Sequence, residues 1–283
     1  MTVAASPADG GRAIPSQENW VAAKRKIMLP NGIEMGYLDR GNPTGAPLLM
    51  IHGYCDTSRC WSTIAPYLTE RRLLIVDLRG HGASSAPAGC YTMMEFASDL
   101  SCFITAMKLG KVDILAHSMG TMAAQTLAAA HPGQVGRLVL LAGSAMGHFR
   151  PGGWLWDNVM ALNDPIDPGS DFISALYHRE KPIEPPELDV FGKLEAARTP
   201  VRVWQGMLFA SVMTDLFHMD ALVKAPVLLV IAEKDHLIPP EASGRWQEAL
   251  PHAEIFIERE LGHGLHKERP AEMAAVVSGF LNR

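Results

Sequence analysis

The order of alternation along the chain constrains its fold more than any single motif. Short apolar runs at 47–51, 73–77, 112–116 and 137–141 are separated by stretches at 61–68, 93–108 and 121–130 with apolar or small residues at helical spacing. A strand that is apolar on both faces has to be covered on both. This βαβα order therefore points to a mostly parallel sheet between layers of helices. Two more runs, at 226–231 and 254–257, extend the set, and a hairpin precedes it, with 26–29 and 33–37 flanking the turn Pro30-Asn31-Gly32. Thr92 with Glu95 three residues on resembles a capping box at the start of the second helical stretch.

The alternation stops after Ala142-Gly143-Ser144 and resumes at Pro226. We therefore expect a core made of 19–144 and 221–283, interrupted by a helical lid at 145–220. Helix-like stretches in the lid lie near 154–162, 170–178 and 199–217, with a proline-rich break at 182–186. Small and polar residues at 1–18 are expected to form a flexible arm. At 283 residues, 48% hydrophobic and 19% charged, the chain can bury one sizeable core without a second one.

The chemistry centres on Ala116-His117-Ser118-Met119-Gly120, which follows a buried-strand candidate and opens a helix of small residues. A tight strand-to-helix turn lifts the Ser118 hydroxyl clear of the backbone, and the small flanking residues let strand and helix approach; Ala116 stands where the usual pattern has its first glycine. A serine hydroxyl needs a base to take its proton, and the base needs an acid to orient it, in the chain order serine, acid, histidine. His263, in Leu261-Gly262-His263-Gly264 after the last strand, can supply the imidazole. Glu233 and Asp235, in Ala232-Glu233-Lys234-Asp235-His236, both stand at a strand's carboxyl end. No carboxylate follows the preceding strand, in Leu141-Ala142-Gly143-Ser144-Ala145.

Charge developing on an attacked carbonyl requires donors, and the backbone N–H groups of Tyr54 and Met119 stand where an oxyanion hole would draw them. His52 is expected to brace its loop. Asp77 and Arg79 are expected to hold the loop at 77–84. His263 and His266 are three residues apart, but there is no third ligand motif nearby, no C-x-x-C and no H-E-x-x-H, so no metal is expected. No role is assigned to His218, His236 or His252.

The segments HGYCDTSRCW, DLRGHGASS, AHSMG, AEKD and GHGLHKERP occur in the order seen in the α/β-hydrolase superfamily, and over about residues 22–283 the chain resembles its lid-bearing serine hydrolases of the esterase and lactonase kind. The resemblance implies an α/β-hydrolase fold with a mostly parallel eight-stranded sheet. It also implies Ser118 as nucleophile, His263 as base and Asp235, ahead of Glu233, as acid. A serine at the turn disfavours the dehalogenase and epoxide hydrolase branches, which attack through a carboxylate. The expected activity is hydrolysis of a carboxylic ester or lactone. Carbon–carbon bond hydrolysis and cofactor-free perhydrolysis use the same three residues, and a ligand receptor on the same fold is the reading from another class.

Nine of the 20 aromatic residues fall within 145–220, together with Met146, Met160, Met207, Met213 and Met219. Part of this set has to pack the lid's own core. Trp154, Trp156, Trp204, Met207 and Phe217 are the candidates to wall an apolar pocket over Ser118, which would favour a small-molecule substrate that is apolar or aromatic.

Other classes are disfavoured. A net charge of -5 with no basic stripe argues against nucleic acid. There is no dinucleotide fingerprint or P-loop, so no cofactor is expected. The four cysteines, 55, 60, 90 and 102, are too sparse for a disulfide scaffold. No apolar run reaches membrane-spanning length, and the first residues lack the pattern of a signal peptide, which makes a cytoplasmic location the expectation.

Overall fold

A computed structural model describes residues 14–283. The expected N-terminal arm lies outside them as far as residue 13. Its last residues do not behave as an arm. Ile14 is buried against Ile183 and Leu188, and Ser16 caps helix α1 (Gln17–Ala22), which buries Trp20. Apolar partners from distant segments hold this stretch, a cause that local composition does not reveal.

Eight strands form one sheet: β1 (Arg25–Met28), β2 (Glu34–Gly41), β3 (Pro47–Ile51), β4 (Arg72–Val76), β5 (Val112–His117), β6 (Val135–Leu141), β7 (Val227–Ala232) and β8 (Glu254–Glu258). Their spatial order is β1-β2-β4-β3-β5-β6-β7-β8. The pairs β1–β2 and β2–β4 are antiparallel, and every other pairing is parallel. This is the mostly parallel α/β architecture expected from the alternation. It brings the carboxyl ends of β3 to β8 to one edge, where ligands bind in open α/β sheets.

Side chains alternate between the two faces of the sheet. Leu49, Ile51, Ile114, Leu138 and Leu229 join one buried cluster, and Leu48, Met50, Leu115, Val139 and Leu228 join another. Helices α2 (Met93–Ala106) and α3 (Met119–Ala130) and the buried Trp246 of α9 (Pro240–Ala249) cover the first face. The second is covered by α11 (Pro270–Leu281) and the segment around Trp61. That segment departs from expectation: two 3-10 turns, Ser58–Trp61 and Ala65–Tyr67, replace a helix at 61–68. Pro66 has no N–H to continue an α-helical ladder, while Trp61, Ile64 and Leu68 still reach the core at near-helical spacing.

Between β6 and β7 the chain inserts α4 (Trp154–Met160), α5 (Asp171–Leu176), α6 (Glu187–Ala197), α7 (Val201–Val212) and α8 (Phe217–Asp220). The ends of this insertion pair with each other, since Met146 bridges Asp215 and the Leu216 N–H donates to the Ala145 carbonyl at 2.8 Å. Sequence periodicity did not mark α6, which starts directly after the proline-rich segment. The prolines end one segment and Pro186 caps the next helix. All four cysteines are unpaired. Among the described residues no helix is long and apolar enough to cross a membrane.

Candidate active site

The turn between β5 and α3 holds Ser118 at φ 53° and ψ −128°, a conformation that non-glycine residues rarely adopt. Its neighbours fix it there. The Ser118 N–H donates to the Leu141 carbonyl at 2.9 Å, and the Thr121 N–H and hydroxyl donate to the Ser118 carbonyl at 2.9 and 2.6 Å. Two glycines make room for the turn. A Cβ on Gly120 would stand 2.8 Å from the Ile51 carbonyl oxygen and closer still to that of His52. One on Gly53 would stand 2.7 Å from the Ser118 Cβ. Ala116 is fully buried at the position of the missing first glycine.

Three loops at the carboxyl edge of the sheet converge on this turn. His263 lies between β8 and the short helix α10 (Leu265–Glu268), with its Nε2 2.9 Å from the Ser118 Oγ and its Nδ1 2.8 Å from the Asp235 Oδ2. Asp235 follows β7, and its Oδ1 accepts the backbone N–H groups of Leu237 and Ile238 at 2.8 and 3.0 Å. Burial pushes the Asp235 carboxyl up, but His263 and the two backbone donors outweigh it and hold it below the usual carboxylate range. Glu233 is exposed on the same loop, with its N–H donating to the Glu258 carbonyl. It is Asp235 that meets His263.

Tyr54 and Met119 flank the pocket beside Ser118. Met119 is the first residue of α3, where a helix N–H has no intrahelical acceptor, and among the described residues neither N–H is engaged in a turn or cap hydrogen bond. The Tyr54 hydroxyl donates to the Trp204 carbonyl at 2.7 Å, which secures the loop from the insertion side.

Buried histidines surround Ser118, Asp235 and His263. The His52 Nδ1–H donates to the Gly53 carbonyl and its Nε2 accepts the Leu78 N–H, both at 2.9 Å, so the ring braces the loop, as the sequence suggested. The His117 Nε2–H donates to the His263 carbonyl at 2.8 Å, steadying the backbone that carries that imidazole. His266 is stacked between Trp61 and His117 at 4.7 and 4.4 Å. Burial, reinforced by nearby cations, lowers the His117 and His266 pKa values well below the ordinary range and keeps both rings neutral. Asp77 accepts from Lys24, Ser58 and Ala83, each at 2.8 Å, and Arg79 forks onto Asp99 with two bonds of 2.6 Å. Both residues hold their loop, and neither lines the pocket.

The pocket over Ser118 encloses about 820 Å³ including its open mouth, and its wall is mainly apolar, with Met122, Phe149, Leu155, Leu208, Leu237 and Ile238. None of the five side chains expected to wall it does so. Trp204 and Met207 are completely buried in the packing between insertion and core, with Trp204 edge-on to Tyr54 at 5.5 Å. Trp154 is 46% exposed and leans on Phe172. Trp156 packs against the core cluster, and Phe217 lies under the Arg245 guanidinium. Their sequence neighbours Leu155 and Leu208 line the pocket instead, because successive helical residues point about 100° apart. Composition located the right segment but not the face.

Sequence reasoning missed the polar part of the wall, which includes Asp56, Tyr177, Arg179, His148 and Lys267. Asp56 and Lys267 form a buried ion pair at 2.6 Å across the loop that carries Tyr54. The pair joins residues 211 positions apart, so no local signal announces it.

A model of the alpha/beta hydrolase family matches residues 48–276. "Lipase 3" of Moraxella sp. (strain TA144) is 27% identical over 252 residues, covering 84% of this chain and 78% of that protein. "Probable oxidoreductase EphD" of Mycobacterium tuberculosis (strain ATCC 25618 / H37Rv) is 35% identical over 102 residues, which is 35% of this chain but only 17% of that protein's length. Among solved structures, an esterase (EaEST) from Exiguobacterium antarcticum superposes with a TM-score of 0.80 at 23% identity, covering 91% of this chain and 99% of that one.

Proposed function

The chain belongs to the alpha/beta hydrolase family, and from that premise we propose that it hydrolyses a carboxylic ester or lactone through an acyl-enzyme on Ser118. The observation that carries the reading is the unbroken run of hydrogen bonds from Asp235 through His263 to Ser118, opening on an apolar pocket. With Nδ1–H donated to Asp235, the imidazole offers its Nε2 lone pair to the Ser118 hydroxyl. As Oγ attacks the acyl carbon, Nε2 takes the proton, and the Tyr54 and Met119 N–H groups stabilise the developing oxyanion. The imidazolium then protonates the leaving alcohol. Water, activated by the same Nε2, releases the acid and restores Ser118.

The insertion is read as a lid over this pocket, and the aliphatic wall favours a substrate with an apolar or aromatic body. Ser118→Ala is expected to reduce turnover of an activated ester such as a 4-nitrophenyl alkanoate by about four orders of magnitude or more. A fluorophosphonate should label the wild type and not the variant. Turnover by Ser118→Ala close to that of the wild type would overturn the assignment.

A further inference from the structure

The pocket wall carries three charged side chains, Asp56, Lys267 and Arg179. The first two neutralise each other at 2.6 Å. Arg179 makes no ion pair within 4 Å among the described residues, and of its N–H donors only one, on Nη1, is engaged, by the His178 carbonyl at 2.8 Å. Its Nε is buried with no acceptor. Glu268 feels the Arg179 charge, yet its Oε2 accepts the backbone N–H groups of Lys181 and Gly262 at 3.1 and 3.5 Å and does not pair with the guanidinium.

The placement of this cation is specific. The guanidinium lies over the Tyr177 ring, 5.3 Å from its centroid, and against Gly264, where a Cβ would stand 2.8 Å from the arginine Cδ and Nε. Gly264 immediately follows His263. The missing side chain thus admits a guanidinium beside the residue that faces Ser118. An arginine held on an aromatic face, with free donors at the wall of an apolar pocket, matches the planar fork of a carboxylate.

We propose that Arg179 determines specificity for a carboxylate on the substrate, so that the pocket takes esters or lactones whose apolar body carries a free acid group. The inference rests on the hydrolase reading above and narrows its substrate class. The probes are the 4-nitrophenyl monoester of a short aliphatic dicarboxylic acid and the same ester with its free acid capped as the methyl ester. Wild type should favour the free acid by about 10- to 100-fold in kcat/KM, mainly through KM. Arg179→Gln should lose about 10-fold or more on the acid relative to the neutral ester, and Arg179→Lys should recover part of that loss. No preference in wild type, or an equal loss on both esters, would overturn the proposal. Calorimetry on Ser118→Ala reads the contact without turnover. The free dicarboxylic acid should bind it more tightly than it binds Ser118→Ala/Arg179→Gln, and equal binding would also overturn the proposal. If wild type turned over neither ester while binding of the diacid still depended on Arg179, the hydrolase reading would fail and the anion site would stand.

Discussion

Ser118 and Asp220 each sit in an environment their side chain would not choose alone. Ser118 occupies a backbone region that costs on the order of 1–3 kcal/mol for a non-glycine residue, maintained by the bonds to Leu141 and Thr121. Asp220 is buried with neither carboxylate oxygen bonded, and burial, with Asp215 nearby, pushes its pKa up to about 8. The folded protein therefore keeps this proton over a pH range in which the unfolded chain, titrating near 3.8, has lost it. Stability from this group is complete below about pH 4 and declines as pH rises through about 8. Asp220→Asn should remove the decline, so that its advantage over wild type in urea denaturation grows by up to about 3 kcal/mol between pH 5 and pH 8. Parallel stability curves for the two proteins would contradict it.

The elements differ in how much of their placement is local. The β5-turn-α3 unit was legible because the chemistry of a tight turn demands small residues at fixed offsets, and Gly120 shows why. Its missing Cβ lets the start of α3 lie on the Ile51 and His52 carbonyls. Gly120→Ala should cost about 3 kcal/mol or prevent folding, read as a lowered denaturation midpoint or loss of soluble protein; an unshifted midpoint would refute the packing argument. The insertion helices were legible only in part: three helix-like stretches cover α4, α5 and α7 with the start of α8, α6 went unmarked, and the face each helix presents was not legible. On α4 the pocket receives Leu155 while Trp154 points to solvent. Side-chain size says where burial is wanted, whereas direction depends on what each helix packs against. The same limit applies at 61–68, where helical spacing reached the core through 3-10 turns.

Across the whole molecule, the insertion and the sheet meet on the loop that carries Tyr54. The Tyr54 hydroxyl bonds the Trp204 carbonyl, the Tyr177 hydroxyl bonds the Cys55 carbonyl at 3.1 Å, and the Thr57 hydroxyl bonds Glu195, which also takes Gln17 and stands 3.9 Å from Lys24. Three contacts from one insertion thus fix the segment whose N–H is proposed to stabilise the oxyanion. Glu195 does not line the pocket, so Glu195→Gln tests this coupling through position alone. Steady-state kinetics on a neutral activated ester should show kcat reduced by about 3- to 10-fold with KM nearly unchanged. A change confined to KM would indicate that the insertion shapes substrate binding and not the oxyanion loop.

The sequence by itself determined the layered, mostly parallel sheet, the strand-turn-helix around Ser118, and the order in which Ser118, Asp235 and His263 occur. These follow from periodicity and turn chemistry, which act over a few residues. Asp235, which the resemblance already favoured over Glu233, meets His263 in the folded chain. Only the tertiary structure decided which side chains wall the pocket, and that Arg179 stands against Gly264 with no acid within 4 Å among the described residues. Those outcomes join segments far apart in the chain. Burial and charge there are set by the packing of sheet against insertion, and no local pattern encodes that.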